Sequence, residues 1–201
     1  MNQQIALPPA LLAAHNLTCS QGRLAGACPA LDKFLGGGLP WGKLVEWGLP
    51  KGKEGWRVLL PFVAQASRSL PCLWLGDDTD RRPLFPAWFA AGAAPANLYF
   101  LASSQPLKEA KEVFTNPWFR FLLLDSPSGL RSEDLAFLAA QARQQGKLIL
   151  LLRPYFLRPD QGNVWAAMRL NAWKRQPGGP WLLRGVKGVH GDLRLPSLEA
   201  T

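Results

Sequence analysis

The sequence predicts an α/β fold: a mostly parallel central sheet flanked by helices, with an antiparallel C-terminal extension. Three observations predict it. Short apolar segments alternate with helical patterns up to about residue 153. Several of these segments, "FRFLLLD" and "KLILLL" among them, lack polar alternation, as strands covered by helices on both faces do. Beyond them the helices stop, and strand patterns follow one another across turns, of which "QPGGP" is the strongest.

Residues 1–28 read as a loosely structured arm with a short helix near "ALLAAHN", and residues 29–201 as the core domain. "PALDKFLGGG" is a helix with a glycine stop, and "KLVEW" a buried strand. After the loop "GLPKGKEGWR", "WRVLLPFVAQAS" is a helix that tolerates Pro61 in its first turns. "CLWLG" is a strand, "DDTDRRPLFPAWFAAG" a turn and short helix ending at Gly92, and "NLYFLA" a strand. "LKEAKEVF" is a helix and "FRFLLLD" a strand. In "SEDLAFLAAQARQQG", Ser132 is the expected N-cap, Glu133 and Asp134 suit the first turn, and Gly146 is the stop. "KLILLL" is the next strand, "RPYFLRPDQGN" a loop, and "VWAAMRLNAWKR", "PWLLRGVKG" and "GDLRLP" the strands of the antiparallel extension.

Bulk properties narrow the function classes. The chain has 201 residues, 48% of them apolar and nine of them Trp, enough for one domain with a sizeable core. No apolar run reaches 18 residues, so no membrane span is expected, and the N-terminus lacks the basic region of a secretion signal. Cys19, Cys28 and Cys72 are odd in number and lack metal-ligand spacing, which suggests unpaired thiols in a reducing cytoplasm. His15 and His190 show no triad or metal spacing, and no metal site is expected.

In an open parallel sheet, ligands bind beyond the C-terminal strand ends. Four places qualify: the loop after Trp47, Asp77/Asp78, Asp125 and Arg153. The loop invites comparison with a phosphate loop, G-x-x-x-x-G-K-[ST]. There, backbone N–H groups wrap the phosphates, Lys reaches the outer ones and a hydroxyl holds Mg²⁺. Gly48, Gly52 and Lys53 come close, but only three residues separate the glycines, and Pro50 removes a donor. Glu54 replaces the hydroxyl. A carboxylate about 4 Å from a phosphate charge repels it by about 4 kcal/mol at an effective dielectric of about 20. That is roughly a thousandfold in affinity. Using Gly55 instead puts Trp56 in the Lys slot and Arg57 in the hydroxyl slot. The loop is therefore expected to be non-functional, with Trp41, Trp47 and Trp56 filling space beside it. Asp125 sits where a Mg²⁺-site carboxylate would, but without a nucleotide it is expected to cap the following turn.

The net charge of +9 is concentrated. Residues 143–187 hold nine Lys/Arg and one acid, Asp160, which is eight of the nine net charges. Such a segment suits a polyanion or an acidic protein surface. Arg153, Arg158, Arg169, Lys174, Arg175, Arg184 and Lys187 are the candidate nucleic-acid or partner contacts, with Tyr155 or Phe156 available to stack on bases.

The order of elements resembles a known family. "CPALDKFLGGGLPWGKLVEWGLP" strongly resembles the run leading into the ATP site of the RecA recombinases. "CLWLGDDTD" resembles the RecA strand that ends in a catalytic glutamate, with Asp78 at that position, one methylene shorter. "NLYFLASSQPLKEAKEVF", "LLLDSPSGL" and "KLILLLRP" resemble the next strand with its "SQP" turn, the Mg²⁺-site strand, and the strand before the second DNA-binding loop. The similarity covers most of residues 28–175, and the leading segment is its specific part. The departures are the broken loop, no room for a first DNA-binding loop, a brief second loop, Arg153 in place of a polar residue, and no separate C-terminal domain.

A shortened RecA-like core with a lost nucleotide loop is similar to the ImuA family of bacterial mutagenesis cassettes. These are encoded with ImuB, an inactive Y-family polymerase homologue, and an error-prone polymerase. The resemblance implies a non-catalytic, cofactor-free adaptor in SOS-induced translesion synthesis. Its implied partners are an ImuB-like protein, RecA and the error-prone polymerase complex, with DNA contact through the basic segment. The alternatives are a division inhibitor similar to SulA, which would bind FtsZ, and a weak ATP- or DNA-binding protein using Lys53, Asp78 and Asp125. The well-kept "ALDKFLGGGLPWGKLVEW" favours the ImuA family.

Overall fold

The computed structural model describes residues 22–76, 85–103 and 105–196. Its elements in chain order are β1 (Arg23–Leu24), α1 (Pro29–Phe34), β2 (Leu39–Pro40), β3 (Lys43–Gly48), a 3-10 turn (Gly55–Leu59), α2 (Leu60–Ser67), β4 (Cys72–Gly76), α3 (Phe85–Ala90) and β5 (Leu98–Ala102). There follow α4 (Pro106–Glu109), α5 (Lys111–Thr115), β6 (Phe121–Asp125), α6 (Ser132–Gln145), β7 (Leu148–Arg153), β8 (Met168–Lys174), β9 (Trp181–Lys187) and β10 (Asp192–Leu195).

Eight strands form one sheet in the order β10-β9-β8-β3-β7-β6-β4-β5. All its pairings from β8 to β5 are parallel, and its β8–β9 and β9–β10 pairings are antiparallel. The fold is thus α/β with a mostly parallel sheet, as the apolar strand patterns predict. The antiparallel extension joins the sheet through a parallel pairing: β8 runs with β3, β9 runs against β8, and β10 runs against β9.

Strand alternation splits the core into two layers. Val45, Trp47, Leu123, Leu150, Leu170 and neighbours pack under α2, while Leu44, Leu122, Leu124, Ile149 and Leu151 pack under α5 and α6. Strands buried on both faces have no polar side to show, which is why "FLLL" and "LILLL" read as unbroken apolar runs.

Local corrections have local causes. The helix expected from Trp56 begins only at Leu60, with Pro61 at its second position, and the residues before it form the 3-10 turn. The helix expected over "LKEAKEVF" breaks at Ala110, which leaves helical geometry (φ −137°, ψ 37°) and is buried. Arg131, not Ser132, is the N-cap of α6; the Asp134 carboxylate accepts its backbone N–H at 2.8 Å. Gly146 ends that helix as expected, left-handed at φ 61°. Residues 22–28, read as the end of the arm, belong to the core: β1 pairs with β2, and Leu24 is buried. The Arg23 guanidinium donates to the carbonyls of Leu35 (2.9 Å) and Gly38 (2.8 Å), closing the end of α1. The short helix near "ALLAAHN" lies outside the described residues. No helix among the described residues is long and apolar enough to cross a membrane.

Candidate functional site at the C-terminal rim of the sheet

The parallel strands β3, β7 and β8 end side by side, with Gly48 opposite both Arg153 and Asn171. Three segments therefore meet at this rim: the loop 48–55, the chain after Arg153, and the end of β8.

The loop lies down on its neighbours. The Leu49 amide donates to the Arg153 carbonyl (2.7 Å), and the Lys174 amide donates to the Lys53 carbonyl (2.9 Å). A Cβ on Gly48 would overlap the Asn171 side-chain oxygen, and one on Gly55 would overlap the Ala172 carbonyl. The two glycines thus serve close packing against β8. Glu54 is left-handed (φ 52°) and half-buried. Its carboxylate lies 3.4 Å from the buried Lys174 ammonium and 3.9 Å from Arg57. The residue in the slot of the Mg²⁺ hydroxyl is therefore part of an internal ion pair. Lys174 also stands over the Trp181 ring, 4.4 Å from its centroid. Lys51, Lys53 and Arg57 are exposed. Trp41 and Trp47 are core residues, Trp47 edge-on to Phe62 at 6.2 Å, and Trp56 packs half-buried against the same core.

The two candidate carboxylates fare differently. Asp78 lies outside the described residues. Asp125 ends β6, two strands from β3, or about 10 Å at the usual strand spacing. Alternation with Phe121 and Leu123 puts it on the α2 face, the face from which the loop leaves. Its carboxylate accepts from the Ser126 hydroxyl at 3.0 Å.

The basic segment is not one exposed face, and the expectation is corrected for three residues. Arg153 and Arg169 point inward: their Nε atoms donate to the two oxygens of buried Glu46, at 3.0 and 2.9 Å. Lys174 is buried against Glu54 and Trp181. Burying Arg169 and Lys174, and most of Arg153, demands partners, and Glu46, Glu54 and an indole face supply them. Arg184 forms a two-pronged pair with Asp192 directly opposite on β10, at 2.9 and 2.8 Å. That hydrogen-bonded pairing raises the Arg184 pKa and lowers that of Asp192. Lys187 donates to the Val164 carbonyl at 2.7 Å, while Arg158 and Arg175 are exposed.

Sequence reasoning missed the residues that organise the rim. Glu46 had a legible signal: it is the one acid within the apolar strand "KLVEW". Asn171 had none. Its side chain accepts from the Leu157 amide (2.7 Å) and donates to the Leu157 carbonyl (3.0 Å), mimicking a strand for one residue. Lys147 is also buried; its ammonium donates to the carbonyls of Val113 (3.3 Å), Phe114 (2.7 Å) and Asn116 (2.6 Å), capping α5.

Among known protein families none matches the chain, and none of the curated proteins matches it either.

Proposed function

We propose that the chain is a non-catalytic, RecA-like accessory protein of error-prone translesion synthesis, similar to the ImuA family, that works by binding partner proteins in the cytoplasm. The observation that carries the non-catalytic part is the fate of Glu54: the residue in the hydroxyl slot is held by Lys174 at 3.4 Å. A bound triphosphate would have to break that ion pair and bring its own negative charge beside the carboxylate. The loop also leads into a five-residue 3-10 turn before α2, not directly into an α-helix as a phosphate loop does. The adaptor part is supported by the "LDKFLGGGLPWGKLVEW" resemblance, carried by α1, β2 and β3. The reading needs no cofactor. Its partners are an ImuB-like protein, RecA and the polymerase complex they serve, with DNA contact in an assisting role through exposed Arg158 and Arg175.

The test is co-purification of the full chain with an ImuB-like protein and with RecA, each with and without DNA. Binding to either at micromolar concentration supports the reading; binding to neither sinks it. Calorimetry with Mg-ATP tests the other half, and affinity tighter than about 0.1 mM overturns the account of Glu54. Filamentous cells on overexpression, with capture of FtsZ, would favour the SulA-like alternative.

A further inference from the structure

The loop 154–167, between β7 and β8, shows large apolar side chains to solvent. Tyr155 is 53% exposed, Phe156 48%, Val164 72% and Trp165 48%. Burying such a side chain fully is worth about 1.5–3 kcal/mol, so a loop free to fold them inward would do so. This loop is not free. Asn171 holds Leu157 by both of its backbone groups. Arg169 donates to the Gln161 carbonyl at 2.7 Å, and Lys187 to the Val164 carbonyl at 2.7 Å. The Trp165 amide donates to the Asn163 side chain (3.0 Å), and its indole N–H reaches Ser132 Oγ at the start of α6 (3.4 Å). The Ala167 amide donates to the Leu44 carbonyl at 2.9 Å, and Phe156 stands edge-on to Trp173 with ring centroids 5.3 Å apart. A loop pinned along its length with apolar groups facing out has already lost the entropy that docking would otherwise cost.

We propose that loop 154–167 is a preorganised docking loop for an acidic partner protein, one whose docking face has apolar pockets inside a rim of Asp and Glu. This rests on the adaptor reading and names the surface that would serve it. Composition decides between occupants. The exposed large residues of the loop are three aromatics, Val164, Pro159, Gln161 and the opposed charges Arg158 and Asp160, with no Lys; the aromatic share is that of a protein-interface centre. A nucleic-acid footprint needs a row of Lys and Arg along the phosphates. Moreover, Val164, the most exposed of the four apolar side chains, has no ring for a base to stack on. Charge decides the rest. Exposed Arg158 in the loop and exposed Lys187, which donates to the Val164 carbonyl, stand against one exposed acid, Asp160, and the whole chain carries +9, so a second copy is repelled and an acidic face is attracted.

The test is to select peptides from a random display library on the purified full chain, then measure synthetic copies by fluorescence anisotropy. The expected winners combine Asp or Glu with aromatic or aliphatic residues. Their affinity should fall about tenfold or more with Y155S/V164S, and likewise with F156S/W165S. It should also weaken as salt rises from about 0.05 to about 0.5 M. Two separate pairs guard against one failing to fold, and thermal midpoints identify the intact one. The proposal is overturned by winners without acids, by binding that ignores both pairs, or by no enrichment. Loss of oligo(dT) binding in the variants, or loss of self-association by sedimentation, overturns it in favour of a nucleic acid or a second copy. The selection uses neither RecA nor an ImuB-like protein, so its failure leaves the adaptor reading standing, and the reverse also holds.

Discussion

Glu46 of β3 holds Arg169 of β8 at 2.9 Å and Arg153 of β7 at 3.0 Å, tying the three strands whose ends form the rim. Both cations depend on one buried carboxylate. Removing it should strand two guanidinium groups in a largely dry site. Glu46→Leu is expected to lose roughly 3–5 kcal/mol of stability, read from urea midpoints. The triple variant E46L/R153M/R169M removes all the charge at once and is expected to recover most of the loss. If the triple variant is as unstable as E46L, or E46L is neutral, the cluster is not what holds these strands.

Asn171 does for the loop what Glu46 does for the strands. Asn171→Ala removes both hydrogen bonds to Leu157 and leaves that buried residue's amide and carbonyl unpaired. The expected cost is roughly 1–3 kcal/mol. Amide exchange should rise locally, at Leu157 and its loop neighbours, while β6 and β7 stay protected. Uniform protection across the loop would refute the pinning role.

The strand pattern was legible because its cause is local. A segment such as "LILLL" can only be buried on both faces, and β7 lies between β3 and β6, covered by helices. Gly146 was legible for the same reason, since a left-handed helix end follows from glycine itself. The misplaced helix ends at Leu60 and Ala110 depend on packing that periodicity does not report. The candidate site was half legible. The loop's defects can be read slot by slot in one dimension, but the fates of Arg153, Arg169 and Lys174 cannot. Whether a cation faces solvent or a carboxylate 107 or 123 residues away is decided by strand order. Charge counting along the chain treated these cations as one surface, and the sheet separated them.

Gly48 and Gly52 look alike in the sequence, yet the structure assigns them different work. A Cβ on Gly48 would come within 2.8 Å of the Tyr155 carbonyl and overlap Asn171, whereas one on Gly52 meets nothing within 4 Å. Gly48→Ala should cost roughly 1–3 kcal/mol through overpacking. Gly52→Ala should cost only about 1 kcal/mol, for its left-handed backbone at φ 70°. Thermal melts of both variants, without nucleotide, check the order. A larger loss at Gly52 would mean that the open part of the loop has a packing role the structure does not give it.

Lys147 gives the sharpest pH prediction. Burial, with a smaller contribution from nearby Arg120, lowers its pKa from 10.5 to about 8. Below about pH 8 the lysine is protonated in both folded and unfolded chains, and its contribution is flat at its least favourable. Between about 8 and 10.5 the unfolded chain holds a proton that the folded one has released. Unfolding then takes up a proton, so this contribution to stability rises with pH through that window and levels off above it. Lys147→Met removes the titration and leaves three carbonyls at the end of α5 without their donor. The variant should be less stable at neutral pH by roughly 1–3 kcal/mol. Wild-type stability minus that of the variant, from urea titrations across the window, should climb with pH. A flat or falling difference would show that Lys147 keeps its proton in the folded protein and acts only as a fixed cap on α5.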